Sequence, residues 1–298
     1  MKRSITIETY GPTIRQIRLD KGFRQKEIYS GIVSKSYAIA FEKGQHQMGL
    51  NHFEKTLERL YLTYDEFIYI KNGYQGHELQ PYAEIYADAS NTGNLAELKK
   101  NYLSLADQLG FKATLQKNLI YLSGFSIASL TNHSDIAFWE QTAEPIKFIK
   151  NYLLGVESWT LFELEVFANS LSYFPISLTT QLMERALQKL ANYQHFQATN
   201  RLLAATLINF IDQLVDQNEW SKVNYFLPAL KEISDSIDMS FERIIYLFFE
   251  GELNYALTKD PNYLKQIDQC IAMMSLLDHP KFLRSFQTAK ATLLKNCQ

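Results

Sequence analysis

The chain has 298 residues, enough for one or two domains with a sizeable core, and is 46% hydrophobic and 21% charged. Only 7 prolines and 12 glycines interrupt it, which favours a mostly helical fold. No apolar run reaches the roughly 18 residues of a membrane span, the start lacks a signal-peptide core, and Cys270 and Cys297 lie in no motif. A disulfide framework, a metal centre and a membrane partner are therefore not expected, and a cytoplasmic protein is.

The formal charge is −2, but it is unevenly spread. Residues 1–75 hold 12 Lys and Arg against 8 Asp and Glu, a balance of +4, and the rest of the chain comes to −6. The first helix is predicted over Pro12 to Lys21, with Ile14 and Ile17 facing in, Arg15 and Arg18 on other faces, and Gly22 as its stop. Arg24 to Gly44 then reads as two short helices around a tight turn. Ile28 and Ile32 form one apolar stripe, and Ile39 and Phe41 supply contacts for the next. Gly31 sits where the chain must bend, Ser34 is a good N-cap, and Gly44 is a good C-cap residue. Leu50, Phe53, Leu57 and Leu60 step by 3, 4 and 3 along a fourth helix, and Thr63 caps a fifth holding Phe67 and Ile68.

Two helices of this size around such a turn are the helix-turn-helix that places a helix in the DNA major groove. In the second helix Lys35, Ser36, Tyr37 and Ala40 lie near the face away from Ile39 and Phe41. Lysine can donate to guanine, and Tyr37 or Ala40 can touch a thymine methyl. Gln25 and Lys26 are placed for phosphate contact, as are Lys43 and Asn51; Arg15 and Ser34 complete the DNA-contact set. Gln25 and the run Phe41-Glu42-Lys43-Gly44 resemble the phage-repressor-like (XRE) pattern. That resemblance implies a five-helix domain in which Arg18 and Glu42 form a partly buried ion pair.

Lys71 to Gly76 reads as a linker, dividing a domain at 1–72 from one at 78–298 across residues 73–77. Beyond it amphipathic helices follow one another without a credible strand. Leu95, Leu98, Tyr102, Leu105 and Leu109 form one stripe; Leu203, Leu207, Phe210 and Leu214 another. Leu264, Ile267, Ile271 and Met274, then Phe282, Phe286, Ala289 and Leu293, close the chain. Breaks are expected at Asp88–Asn94, Thr131–Ser134, Phe174-Pro175, Asn192–His195, Asp216–Glu219, Lys259–Pro261 and Asp278–Pro280. Helix pairs thus recur every ~35–45 residues, the period of tetratricopeptide-like solenoids, although the strict consensus is absent. The fold class is all-α.

The segments Trp159 to Leu171 and Ile244 to Tyr255, with the helix-turn-helix, resemble the Rgg family of Gram-positive transcriptional regulators. The resemblance implies a homodimer that binds double-stranded promoter DNA and a short regulatory peptide pheromone held by the repeat domain. Polar and aromatic residues off the apolar stripes are the peptide candidates: Asn169 with Tyr173, Asn209 with Asp212 and Gln213, and Tyr246 with Phe249 and Glu250. Asparagine suits a peptide backbone because its amide both donates and accepts. Trp139, Trp159 and Trp220 read as packing residues. No enzyme is expected: the six histidines are scattered, no glycine-rich phosphate loop is present, and Glu163 and Glu165 read as a solvated helix face. No cofactor is expected either. Two other readings stay open, a repressor without a peptide ligand and a repeat scaffold that does not bind DNA.

Overall fold

The computed structural model describes residues 10–74, 97, 100, 136–193 and 196–296, with side chains of the helix that starts at Ile136 described from residue 146. They belong to two compact units, one within Met1–Thr92 and one within Gly93–Gln298. Residues 75–77 of the expected linker, the breaks at 88–94 and 131–134, the stripe that includes Leu98 to Leu109, the Trp139 side chain and Cys297 lie outside the described residues. Among the described residues there is no strand.

The first unit has α1 (Tyr10–Asp20), α2 (Gln25–Tyr29), α3 (Lys35–Glu42), α4 (Leu50–Arg59) and α5 (Tyr64–Lys71). Its core joins Ile14 and Ile17 to Ile28, Tyr29, Ala38, Phe41, Phe53, Leu57, Leu60 and Phe67, all buried. The caps follow the sequence. Ser34 Oγ accepts from the Tyr37 N–H at 3.3 Å, and Thr63 Oγ1 accepts from the Glu66 N–H at 3.2 Å. Gly31 and Gly44 take φ of 75° and 74°, the left-handed region in which a Cβ is strained. Two details differ from expectation. Ile32 falls in the turn after α2, and Leu50 is 66% exposed because the first residue of α4 lies beyond the end of the core.

Cations close two of these helices. Arg59 Nη1 donates to the carbonyls of Ile28 and Ser30, at 2.9 and 2.6 Å, where α2 ends. Lys21 Nζ donates to the Leu60 carbonyl at 2.6 Å, where α4 ends. A helix C-terminus leaves carbonyls unpaired and carries partial negative charge, so both contacts stabilise it.

The second unit holds α6 (Ile136–Gly155), α7 (Leu161–Ser170), α8 (Ile176–Lys189), α9 (Gln197–Asp216), α10 (Trp220–Ile233), α11 (Ser240–Thr258), α12 (Pro261–Leu276) and α13 (Pro280–Asn296). From α8 onward neighbours in sequence pack against each other, as do α6 and α7, and α7, α9, α11 and α13 also touch in succession, forming one layer with α8, α10 and α12 on the other side. This is the two-layer stack expected of helical repeats. Leu203, Leu207, Phe210 and Leu214 are buried along one side of α9, and Phe248 stacks on Phe286 with ring centroids 4.0 Å apart. Gly251 lets α11 approach α12, since a Cβ there would lie 2.9 Å from Ile267 Cγ1.

Breaks fall at 174–175, 216–219, 259–261 and 278–280, with Lys259 in the left-handed region (φ 60°) ending α11 and Asp260 capping α12. A further break between α10 and α11, Ser234-Asp235-Ser236 and a 3-10 turn at Ile237–Met239, carries no proline or glycine and was not expected. Trp159 is buried edge-on to Phe167, and Trp220 packs against the same core. Glu163 is not on a solvated face. It closes a capping box by accepting from the Thr160 N–H (2.8 Å) and hydroxyl (2.7 Å), and it also accepts from the Tyr152 hydroxyl. Burial pulls its pKa up, but these hydrogen bonds outweigh that and hold it below the usual carboxylate value.

Candidate functional site

The helix-turn-helix is braced from behind by a charge network. Arg18 Nε and Nη2 donate to the two Glu42 oxygens at 2.6 and 2.8 Å, and Nη1 donates to the Phe23 carbonyl at 2.7 Å. Gln25 Nε2 donates to Glu42 Oε2 at 2.7 Å, so the first helix of the motif is tied to the last residue of α3. Burial works against the Glu42 charge, yet the Arg18 and Gln25 hydrogen bonds prevail and lower its pKa. Burial next to Glu42 raises the Tyr29 hydroxyl well beyond its ordinary range. Gly11, just before the predicted helix start, completes the brace. A Cβ there would lie 1.7 Å from the Phe41 carbonyl oxygen, so α1 and α3 can meet this closely only at glycine. A glycine at that place in the sequence reads as a helix boundary, so no sequence signal marks the contact.

With its inner face fixed, α3 leaves Lys35 and Ser36 exposed at its N-terminal end. Ser34 is exposed but serves as the cap, and Ser36 Oγ lies 3.2 Å from its hydroxyl. Tyr37 is half-buried: its hydroxyl donates to the Gln47 carbonyl and its ring stacks on His46, centroids 5.7 Å apart, which folds it over the segment after α3. Ala40 is half-buried, whereas Arg15, Lys26, Lys43 and Asn51 are exposed. Gln25 stands apart from the other phosphate candidates because one of its amide N–H groups is already committed to Glu42.

The peptide candidates do not all come together. Asn169 on α7 and Asn209 and Asp212 on α9 are exposed in adjacent helices of one layer, with Gln213 half-buried. Asn169 donates to the Glu165 carbonyl of its own helix at 2.8 Å. Tyr173 is half-buried against the core in the 3-10 turn that follows α7. Asp212 reaches solvent, yet burial by the surrounding protein, aided by the charge of Asp216, pushes its carboxyl up to about 6.

Tyr246 and Phe249 are instead core residues, 3% and 4% exposed, and make no ring pocket at the surface. The reason is their position on α11: Tyr246 turns toward α10, where Lys231 Nζ stands 5.9 Å from its ring, and toward Arg243 at 4.9 Å. Its hydroxyl donates to Glu250, which also accepts from Gln266 Nε2 of α12 at 3.0 Å. The Tyr246–Glu250 pair thus faces the other layer, not α9. Glu250 borders a recess of about 400 Å³ that includes Cys270, whose thiol burial pushes up to about 11. A thiol held so high is a weak nucleophile.

Residues 102–288 match the family described as HTH-type transcriptional regulator Rgg, C-terminal domain. Among solved structures, the chain is similar to a candidate transcriptional regulator of Listeria monocytogenes EGD-e, with 26% identity, a TM-score of 0.84, and 97% of this chain and 98% of that one covered. It is also similar in fold to the SHP pheromone receptor Rgg2 of Streptococcus dysgalactiae, at 16% identity and TM-score 0.75 over 95% and 99% of the two chains. The fold of PrgX in its complex with cCF10 is similar too, at 16% identity and TM-score 0.73 over 96% and 92%.

Proposed function

Because the chain belongs to the Rgg family of HTH-type transcriptional regulators, we propose that it is a homodimer that binds promoter DNA through α3 and responds to a short peptide. The observation that carries the DNA reading is the brace of Arg18, Glu42 and Gln25 behind α3, which fixes that helix while Lys35 and Ser36 stay exposed. Lys35 and Ser36 reach base edges; Arg15, Lys26, Lys43 and Asn51 contact phosphates. Gln25 keeps a second amide N–H for a phosphate while the first holds Glu42. Two such units in a dimer match two half-sites.

The peptide reading is supported by likeness of fold to a pheromone receptor and to a protein solved with cCF10. The α7–α9 layer offers Asn169, Asn209, Asp212 and Gln213 to a peptide backbone. Regulation then requires unequal affinity of the peptide for the DNA-competent and incompetent arrangements. The burial of Tyr246 and Phe249 favours one competing reading, in which the repeat unit only dimerises and no peptide acts.

One experiment addresses both. Binding of the full chain to its own upstream promoter DNA is measured against salt, with and without short peptides encoded beside its gene. A steep salt dependence above a sequence-specific background supports the DNA reading. A shift in DNA affinity on adding one peptide, lost in Asn209→Ala, supports the second. Weak, equally non-specific binding under all conditions would remove the regulator reading.

A further inference from the structure

The stretch between α3 and α4 combines exposure with a lack of negative charge. From Lys43 to Phe53 there is no Asp or Glu, and Lys43, Gln45, His46, Gln47, Asn51 and His52 are exposed. Each of these side chains can donate a hydrogen bond. The start of the stretch is held by its own backbone: the Gly44 N–H donates to the Phe41 carbonyl at 2.8 Å, and the Gln45 N–H to the Ala40 carbonyl at 2.9 Å. Among the described residues, no backbone–backbone hydrogen bond outside a helix holds His46, Gln47 or Met48.

Tyr37 holds this part instead. Its hydroxyl donates to the Gln47 carbonyl, and its ring lies nearly parallel to the His46 imidazole, with 8° between the planes and 5.7 Å between centroids. One side chain of α3 thus fixes the backbone of Gln47 and the ring of His46, while both residues stay exposed. A donor that is ordered before its ligand arrives loses less entropy on binding. The length of α3 points to the ligand. Its eight residues span ~12 Å, about the width of the major groove. With Lys35 and Ser36 at base edges, the chain beyond Glu42 emerges at a groove wall, which is lined by phosphates.

We infer that the connection between α3 and α4 is a further DNA-contact element, in which His46 donates to a backbone phosphate, and that Tyr37 is its positioning residue and not a base reader. The inference rests on the reading that the first unit binds DNA. Tyr37 is unsuited to a thymine methyl because its hydroxyl is committed to Gln47 and its ring is stacked on His46. It acts through His46, and a phosphate contact there sets the register at which Lys35 and Ser36 meet the bases.

The test measures binding of the full chain to its own upstream promoter DNA and to an unrelated duplex of equal length. His46→Ala is expected to weaken both by about tenfold, the loss of one hydrogen bond to a charged group. Tyr37→Ala is expected to match it. The double variant should be no weaker than either single change, because residues acting through one contact do not add. Tyr37→Phe keeps the ring and frees only the Gln47 carbonyl, so it is expected to fold, which a thermal melt checks, and to lose about threefold on both duplexes. Ethylation interference supplies a readout that packing alone does not move: one phosphate whose ethylation blocks the natural chain should cease to matter in both His46→Ala and Tyr37→Ala.

Natural affinity in His46→Ala, additive losses in the double variant, or an unaltered interference pattern would each overturn the inference. So would a loss confined to the promoter in Tyr37→Ala, which would make Tyr37 a base reader. Natural affinity in Tyr37→Phe would remove the hydroxyl from the positioning role. The two readings also separate. If the chain binds its promoter specifically and His46→Ala binds it equally well, this element fails and the DNA reading stands. If the natural chain binds neither duplex, the DNA reading itself fails.

Discussion

Arg18 and Glu42, 24 residues apart, meet in a two-pronged ion pair, 2.6 Å from Nε to Oε1 and 2.8 Å from Nη2 to Oε2, with both side chains almost wholly buried. The pair joins α1 to the end of α3, and so fixes the helix whose outer end presents Lys35 and Ser36. Breaking it from one side strands a charge. Arg18→Ala should destabilise the first unit by about 3–5 kcal/mol, whereas the joint change to Arg18→Met and Glu42→Leu should cost far less. Denaturant unfolding of the full chain, followed by a probe in each unit, tests the difference.

The same pair sets a pH dependence. Glu42 has a lowered folded pKa, so its contribution is present above the unfolded value, near ~4.3, and is lost as pH falls from there through the folded value. The first unit should therefore lose stability in acid, and Glu42→Gln should flatten that slope. An unfolding series between pH 3 and 6 reads it, and an unchanged slope in the variant would show that other carboxylates set the acid limit.

Gly11→Ala tests the close approach of α1 to α3. Alanine favours a helix over glycine by up to ~1 kcal/mol, so propensity alone predicts a gain. A Cβ 1.7 Å from the Phe41 carbonyl oxygen cannot be accommodated without moving backbone, and the clash should win. We expect a net loss of about 1–3 kcal/mol, in the range of overpacked cores, together with weaker specific DNA binding. A stabilised variant would mean that α1 shifts away from α3 at little cost.

On the outer side of α3, Lys35→Ala should cost about 1–3 kcal/mol of affinity for the natural operator, with much less effect on unrelated DNA. Lys26→Ala should weaken both alike and lower the salt slope by about 1. Neither change touches the core, so melting temperatures should stay put. If Lys35→Ala weakened all sequences equally, Lys35 would be a phosphate contact instead.

Glu252, buried on α11 without a hydrogen-bond partner, gives the opposite pH sign from Glu42. Burial raises its folded pKa to about 8, so the folded state keeps a proton that the unfolded chain releases above ~4.3. The stability associated with the neutral carboxyl is intact below that value and is lost as pH rises through about 8. Glu252→Leu should be nearly neutral at pH 4 and stabilise the second unit by on the order of 3 kcal/mol at pH 8. A pH-independent effect would show that Glu252 finds a partner in solution.

Much of the first unit could be read from order alone, because its features are local. Ser34 and Thr63 cap helices through N–H groups three residues on, and Gly31 and Gly44 supply the left-handed backbone at two turns. The stripe Leu203 to Leu214 is legible for the same reason: one helix repeats its buried side every three or four residues. Where local signals mislead, competing contacts decide. Apolar Ile237 and Met239 hide the break between α10 and α11, and Leu50 continues a stripe that the core does not reach. Glu163 looks solvated until Tyr152, from the helix before, closes over it.

The amino-acid order by itself determined that this protein is helical, where most of its described turns fall, and which short helix carries exposed basic and polar residues at its N-terminal end. Those properties depend on spacings of two to four residues, which any reader of the chain can count. Only the tertiary structure decided that Gly11 is the contact point of α1 with α3, that Tyr246 and Phe249 are core, and that Glu252 lies buried without a hydrogen-bond partner. Each of those depends on which face of one helix meets another across many residues of sequence, and helical periodicity fixes that a face is buried without fixing its partner.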